Sequence, residues 1–344
     1  MADRTGVGEK CLMIIKTEKV KVYHGIQAIE PIHKPVVTIG TFDGLHIGHQ
    51  KVIGELVHTA STIGGKSVVI TFFPHPRTVL QPGYDLRLII SRKEKMKIFE
   101  KLGVDVLICI EFTKEFAKTS SEDFIKKYLV EPLHPVKVII GYDHHFGADR
   151  KGDLQFITEM GKKYGFEVAK IAMQELDETA VSSSKIREAI RHGDMKTATK
   201  FLGYNFSISG KVVMGNQLGR TLGFPTANIQ PDEPDKIIPE YGVYAVLLEW
   251  KGKLYKGMSN IGIRPTLKVN KLTIEAHLFD FDEDLYGEEV TLYFLDHTRI
   301  EKKFRDLELL RRRLIIDRIK VKKILGDDSE NNDADEDAAT APQE

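Results

Sequence analysis

Gly40-Thr41-Phe42-Asp43-Gly44-Leu45-His46-Ile47-Gly48-His49 separates a short β-branched run, Val36–Ile39, from a helical pattern over 47–60. A strand, a glycine-bearing loop and a helix in that order open a parallel α/β unit. Gly40 and Gly44 allow tight backbone turns, and Gly48 lets a ligand approach the helix start. The N-terminus of the helix offers unpaired N–H groups and a positive dipole end, both suited to phosphate. His46 and His49 are three apart, so on a first helical turn they point the same way. Two imidazoles aimed at one phosphate can stabilise charge that accumulates on it during transfer. The same pair also suits a metal, although no clear third ligand lies nearby in sequence. Each histidine taken alone reads as structural or solvated.

Outward from this loop the pattern repeats. Further strands are expected at Ser67–Phe73, Asp105–Ile110, Val136–Ile140 and Glu167–Ile171, with helices near 91–101, 121–129 and 153–164. The strands are near-continuous apolar runs, which is the signature of a parallel sheet covered on both faces. Two short helices, near 183–192 and 195–201, close this half and are broken apart by Gly193-Asp194.

After Gly203 short alternating strands take over: Phe206–Met214, Tyr241–Trp250, Lys253–Met258, Lys271–Phe279 and Glu289–Phe294. Lys251-Gly252 reads as a tight hairpin turn. From Leu272 to Leu278 the even positions are apolar and the odd ones polar, the period of a half-buried strand. Strands at this spacing predict a small antiparallel barrel. An amphipathic helix follows, about 304–325. The expected boundaries are 12–203 for the α/β domain and 206–325 for the barrel domain, with a disordered acidic tail over 326–344.

Composition bounds the function. The 344 residues point to two domains at a prior of about 150 residues each. Lys+Arg and Asp+Glu both number 50, so the chain lacks the broad positive field of a generic nucleic-acid binder. Eight of the acids lie in the tail, which leaves 42 acids against 50 bases in the rest. No apolar run approaches the ~18 residues of a membrane span. Cys11 and Cys109 are too few for a disulfide framework. A cytoplasmic protein without nucleic-acid or membrane partners is expected.

Three more segments sit where strands end or helices begin: Phe73-Pro74-His75-Pro76, Gly141-Tyr142-Asp143-His144-His145-Phe146-Gly147 and Val181-Ser182-Ser183-Ser184-Lys185-Ile186-Arg187. The serines also read as an ordinary N-cap. With the 40–49 loop they resemble the HxGH nucleotidyltransferase superfamily and, within it, the FMN adenylyltransferase module of prokaryotic bifunctional riboflavin kinase/FAD synthetases. The resemblance implies a Rossmann-like nucleotidyltransferase domain with ATP on Gly40, Thr41, Phe42, Asp43, Gly48, Ser183 and Ser184. It implies flavin contacts from Asp143 and Phe146, and His46, His49 and Arg187 on the reacting phosphates. Thr41 stands where the family has Asn, and His144 where it has Phe.

The second half carries Gly210 to Gly215, Gly219-Arg220-Thr221-Leu222-Gly223-Phe224-Pro225-Thr226-Ala227-Asn228, Ser259 to Thr266, Ile274 to Phe281 and Asp284 to Gly287. The glycines let backbone approach a ligand, or equally mark barrel corners. Thr226 and Asn228, two apart on an extended chain, can present oxygens to Mg²⁺ beside nucleotide phosphates. These segments resemble the riboflavin kinase module, a six-stranded barrel with a C-terminal helix. Leu267 departs from its usual Phe. The resemblance implies ATP at Gly215, Gly219, Thr226 and Asn228, with Mg²⁺ on the last two. It also implies substrate contacts from Arg220 and Arg264, and Glu275 as the base on the flavin 5′-hydroxyl. Periodicity alone leaves Glu275 on either a solvated face or a cleft face.

The implied enzyme phosphorylates riboflavin with ATP to FMN and then adenylates FMN with ATP to FAD. The rival readings are a chain with only the kinase half active, an adenylyltransferase for another acceptor, and a flavin-binding sensor without turnover.

Overall fold

The computed structural model describes residues 19–327 apart from 82, 142–146, 148–151, 172–174, 177–178 and 266–269. The chain divides into two compact units. One takes in the described parts of Met1–Thr41, Gln50–Pro82 and Met96–Ala172. The other takes in Phe42–His49, Gly83–Lys95 and the described parts of Met173–Glu344.

The first unit is built on a parallel sheet of β1 (Lys21–His24), β2 (Pro35–Ile39), β3 (Lys66–Phe73), β4 (Val106–Glu111), β5 (Lys137–Ile140) and β6 (Glu167–Lys170). Their order is β1-β4-β3-β2-β5-β6. All five residues of β2 are buried, as a central strand covered on both faces requires. Val37, Ile70, Ile108 and Val138 pack with Phe124, Ile125, Leu129 and Ile157. Each such side chain, fully buried, contributes about 1.5–3 kcal/mol. The edge strand β1 adds to the five expected from sequence. The helix expected over 121–129 runs on to Leu133 and widens over Ile125–Val130.

From β2 the chain moves outward through β3 and β4, then returns to the other flank of β2 at β5. Strand order reverses there, and open α/β sheets collect ligands beyond the carboxyl ends of strands at such a reversal. Gly40 leaves β2 at that point, its N–H donating to Ile70 O at 3.0 Å. Helix α1 (Ile47–Thr62) then begins. The helices α2 (Arg92–Lys101) and α3 (Leu154–Tyr164) match the expected positions.

In the second unit, α4 (Ser183–Arg191) and α5 (Met195–Leu202) are capped by Ser182 and Asp194, whose side chains accept from Lys185 N and Thr197 N. Six antiparallel strands follow: β7 (Ser207–Val213), β8 (Ala227–Pro231), β9 (Gly242–Trp250), β10 (Lys253–Pro265), β11 (Asn270–Leu278) and β12 (Glu289–Ile300). They close a barrel in the order β8-β11-β10-β9-β12-β7. Lys251 and Gly252 have φ of +48° and +77°, the two left-handed positions of a type I′ hairpin. Helix α6 (Leu307–Ile324) starts at Asp306, which accepts from Leu309 N. Its Ile315 and Val321 pack on Val243, Ala245 and Met258 of the barrel's outer face. By alternation the fully buried Tyr244, Val246 and Leu248 fill the interior. No helix among the described residues is long and apolar enough to cross a membrane.

Candidate functional site

The 42–49 loop is held in a conformation that side chains seldom adopt. Phe42, Gly44 and Leu45 have φ of +46°, +83° and +36°, and Phe42 and Leu45 are non-glycine residues in the left-handed region. Such strain persists only where surrounding contacts over-determine it. Those contacts are present. Asp43, buried, accepts from the Arg187 guanidinium and from Ile89 N at 3.0 Å and Ile90 N at 3.4 Å. Ser183 Oγ donates to Asp43 O at 3.0 Å, and Tyr204 Oη donates to Gly44 O at 2.5 Å. Burial, with the charges of Glu94 and Asp43, pushes the Tyr204 phenol well above its usual range, so it stays a donor.

The strained loop delivers two stacked imidazoles. The rings of His46 and His49 lie 3.7 Å apart at 16°, with Phe42 edge-on to His49 at 5.3 Å. His49 N donates to His46 Nδ1 at 3.4 Å. A side chain at Gly48 would stand 3.3 Å from the His46 ring, so this glycine makes room for His46. Burial, then the charges of His46 and Lys95, hold His49 well below the usual histidine range. His49 is therefore neutral at pH 7. A neutral imidazole at a helix N-terminus can still donate a hydrogen bond to a phosphate oxygen, without a standing charge to desolvate.

Three of the expected site residues are engaged in holding the loop. Arg187 does not stand free for a triphosphate: its Nε donates to Arg87 O at 2.8 Å, and Nη2 pairs with Asp43. It holds the loop, and Asp43 is committed to the same purpose. Ser183 is likewise engaged with the loop backbone, whereas Ser184 is exposed. Among the described residues no cluster of His, Cys, Asp and Glu has the form of a metal site. Thr41 accepts through its carbonyl from Thr71 Oγ1 at 3.3 Å.

On the barrel, strand register builds a second site. Asn228 and Asn260 are the cross-strand neighbours of Glu275, Asn260 pairs with Val243, and Val243 with Arg299. Directly opposed residues share a face, so these form one row across the barrel. Glu275, Asn260 and Arg299, together with Thr226, Gly219 and His277, line a cavity of about 580 Å³ on the face that carries α6. Glu275 therefore lies on a cleft face. Asn228 adjoins this lining in the row, and a Cβ on Gly215 would fall 2.1 Å from its amide, so Gly215 permits that close approach. Arg299 is fixed by the buried carboxylate of Asp317 through Nε and Nη2. His277 Nδ1 bonds to Pro225 O at 2.8 Å, and burial pushes its imidazole below the usual range.

Arg220 is exposed on the short helix Leu218–Thr221 and does not reach the cavity lining. Asp143 and Phe146, the side chain of Arg264 and residues 328–344 lie outside the described residues. Asn260, Arg299 and the cationic wall of Lys302, Lys303 and Arg305 escaped sequence reasoning. Asn260 stands inside a quoted motif, one strand from Glu275, and strand pairing is what reveals it.

Residues 29–185 match the family model for FAD synthetase, and residues 202–325 match that for riboflavin kinase. The chain is 37% identical over 295 residues to the bifunctional riboflavin kinase/FMN adenylyltransferase of Pseudomonas fluorescens, covering 85% of this chain and 94% of that protein. It is 32% identical over 310 residues to the protein of the same name from Escherichia coli strain K12, covering 89% and 98%. A crystal structure of a macrolide-efflux protein from Streptococcus pneumoniae superposes with a TM-score of 0.80 at 30% identity, covering 88% of this chain and 99% of that one. With both halves matched in order and nearly the whole length of its relatives spanned, the chain belongs to the bifunctional riboflavin kinase/FMN adenylyltransferase family.

Proposed function

We propose that Glu275 serves riboflavin phosphorylation in the barrel cavity and that the 40–49 loop serves FMN adenylylation, the two activities of this flavin-cofactor enzyme. The observation that carries the division is where the carboxylates are. Glu275 lines a cavity large enough for small-molecule substrates, while Asp43, the carboxylate of the loop, is bound to Arg187 and two backbone amides. The first step needs a base and the second does not.

In the cavity, Glu275 takes the proton of the riboflavin 5′-hydroxyl as that oxygen bonds to the γ-phosphorus of ATP and the bond to the β-phosphate oxygen breaks, releasing ADP. The Thr226 hydroxyl and the Asn228 amide oxygen are hard donors of the kind Mg²⁺ accepts, and Gly215 leaves Asn228 room beside the backbone. Mg²⁺ brought with ATP would supply charge neutralisation on the phosphates. Asn260 and Arg299 orient the substrate against Glu275.

At the loop, a phosphate oxygen of FMN attacks the α-phosphorus of a second ATP, and the bond to the β-phosphate breaks to release pyrophosphate. The nucleophile is already ionised. His46 and His49, at the N-terminus of α1, donate to the oxygens that gain charge. Gly40, Thr41 and Ser184 contact the nucleotide, and Arg187 acts by holding Asp43. The assignment by chain position is 12–203 for adenylylation and 206–325 for phosphorylation. The working partners are riboflavin, FMN and ATP in the cytoplasm, with neither nucleic acid nor membrane.

The test is product analysis from riboflavin and MgATP with the full chain. FMN appears first and FAD second. Flavin bound without product would favour the sensor reading, and FMN without FAD would remove the loop's role.

A further inference from the structure

A buried lysine and a buried glutamate lie outside both catalytic assignments. Lys236 is 2% exposed and Glu94 4%. Lys236 Nζ pairs with Glu94 and also donates to Ile89 O at 2.7 Å. The ammonium sits over the Phe206 ring at 4.7 Å. Both Glu94 oxygens are taken. Oε1 accepts from Ser209 N of β7 at 2.8 Å, and Oε2 accepts from Ser91 N at 2.8 Å as well as from Lys236. Ser91 Oγ accepts from Glu94 N in return, which completes a capping box at the start of α2.

The residue between these groups and the loop is Ile89. Its carbonyl accepts from Lys236 Nζ, its N–H donates to Asp43, and its side chain packs where a Cβ on Gly44 would be only 3.0 Å away. Leu88 is pinned as well. Leu88 N donates to Asp235 O at 2.7 Å, and Ile237 N donates to Leu88 O at 2.9 Å, so 88–89 runs as one rung beside 235–237. The two links that run from Lys236 through Ile89 to Asp43 are buried hydrogen bonds with fixed direction.

We infer that Lys236 and Glu94 are positioning residues for adenylyl transfer, fixing Ile89 so that its amide and side chain hold Asp43 and Gly44 and thereby aim His46 and His49. This rests on the reading of the 40–49 loop as the adenylylation site. A buried ion pair is poor evidence of a stabilising role, because the desolvation of two charges offsets most of their attraction. Its geometric consequence is definite, because the pair dictates where one peptide group stands. Glu94 raises the Lys236 pKa while burial lowers it, and burial is the larger influence. The ammonium is thus a charge kept in place by its two acceptors, Ile89 O and Glu94 Oε2, and by the Phe206 ring rather than by solvent.

The experiment uses the full chain with Lys236→Met, Glu94→Gln and the double variant. Displacing catalytic groups by about 1 Å costs on the order of 100-fold, so kcat for FAD formation from FMN is expected to fall at least 10-fold. KM for FMN and ATP, and the rate of riboflavin phosphorylation, should stay within twofold. A second readout needs no turnover: the imidazole NMR titration of His49 in Lys236→Met should move toward the ordinary histidine range, because a loosened loop exposes the ring. Both rates within twofold of the parent and an unchanged His49 titration overturn the inference. Equal loss of both activities in the single variants sends the decision to the double variant, which leaves no unpaired buried charge. A selective loss of FAD formation there supports the inference, and an equal loss overturns it. If instead His49→Asn leaves FAD formation unchanged, the loop reading has failed, and the His49 titration still reports whether the pair positions the loop.

Discussion

The 42–49 loop and the barrel cavity, to which the proposed function assigns related phosphate chemistry, have opposite construction. The loop is irregular, carries three residues at positive φ within four positions, and is fixed by partners more than forty residues away in sequence. The cavity row is regular: Asn228, Glu275, Asn260 and Arg299 stand where strand register puts them. A site that requires a base can be placed on a rigid strand face. A site that must gather donors around a phosphate uses the free amides of a helix start, and the backbone has to bend to expose them. The difference predicts that damage to each site has a different signature.

The largest effect is catalytic. Glu275→Gln keeps the shape and removes the base, so FMN formation should fall about 10²–10⁴-fold while FAD formation from supplied FMN stays within twofold. His49→Asn should do the converse, lowering FAD formation by about 10²–10³-fold. Chromatographic assays of both products in each variant check this. A parallel fall of both activities in either variant would erase the contrast between the sites.

Stability should separate them next. Arg187→Met leaves the buried Asp43 carboxylate with amide donors alone, and breaking a buried pair in this way costs ~3–5 kcal/mol. Asn260→Ala at the cavity edge removes a neutral side chain from a regular strand, and such changes cost about 1 kcal/mol. Urea midpoints followed by circular dichroism compare the two. An Arg187→Met midpoint equal to that of Asn260→Ala would mean that the loop is not held by its ion pair.

Acid should reach both regions through histidine. His49 in the loop, His277 in the cavity wall and His297 on β12 are all held below the usual range, in each case chiefly by burial. Their unfolded value is about 6.5. A group whose folded pKa is depressed contributes stability above its unfolded value and loses it as pH falls toward the folded one. The unfolding midpoint should therefore drop between pH 7 and pH 5. On the proposed reading His49 differs from the other two in facing a phosphate when ATP binds, which would raise its pKa. MgATP binding at pH 6 should take up protons, measured by calorimetry in buffers of different ionisation enthalpy, and His49→Asn should reduce that uptake.

Much of this architecture is legible in the residues, for identifiable reasons. β2 to β5 are apolar runs, and the hairpin at Lys251-Gly252 has the residues its backbone demands. β1 is short, half-exposed and carried by the sheet edge, so it leaves no periodic signal. β8 is hidden because Pro225-Thr226-Ala227-Asn228 has the composition of a ligand loop. The local parts of the sites are legible too: His46 with His49, and Thr226 with Asn228. Their supports are not. Asp43 and Arg187 are 144 residues apart, and Glu94 and Lys236 are 142 apart, so only folding introduces them. Ser91-Arg92-Lys93-Glu94 does carry the form of a capping box, but nothing local tells that the same carboxylate also meets a lysine.

The smallest effect is the most discriminating. Gly44 and Gly252 have nearly the same backbone, φ +83° and +77°, one in the loop and one in a barrel hairpin. Alanine at either position pays the left-handed penalty, about 1–2 kcal/mol. At Gly252 the added Cβ meets nothing within 4 Å, so the cost is strain alone and both activities should be unchanged. At Gly44 it meets Ile89 Cδ1 at 3.0 Å, so the side chain that braces the loop must move. Gly44→Ala should therefore lose FAD formation several-fold beyond Gly252→Ala at equal stability, with FMN formation intact in both. Equal kinetics in the two variants would show that the loop tolerates displacement of Ile89, and the positioning role of that residue would fall with it.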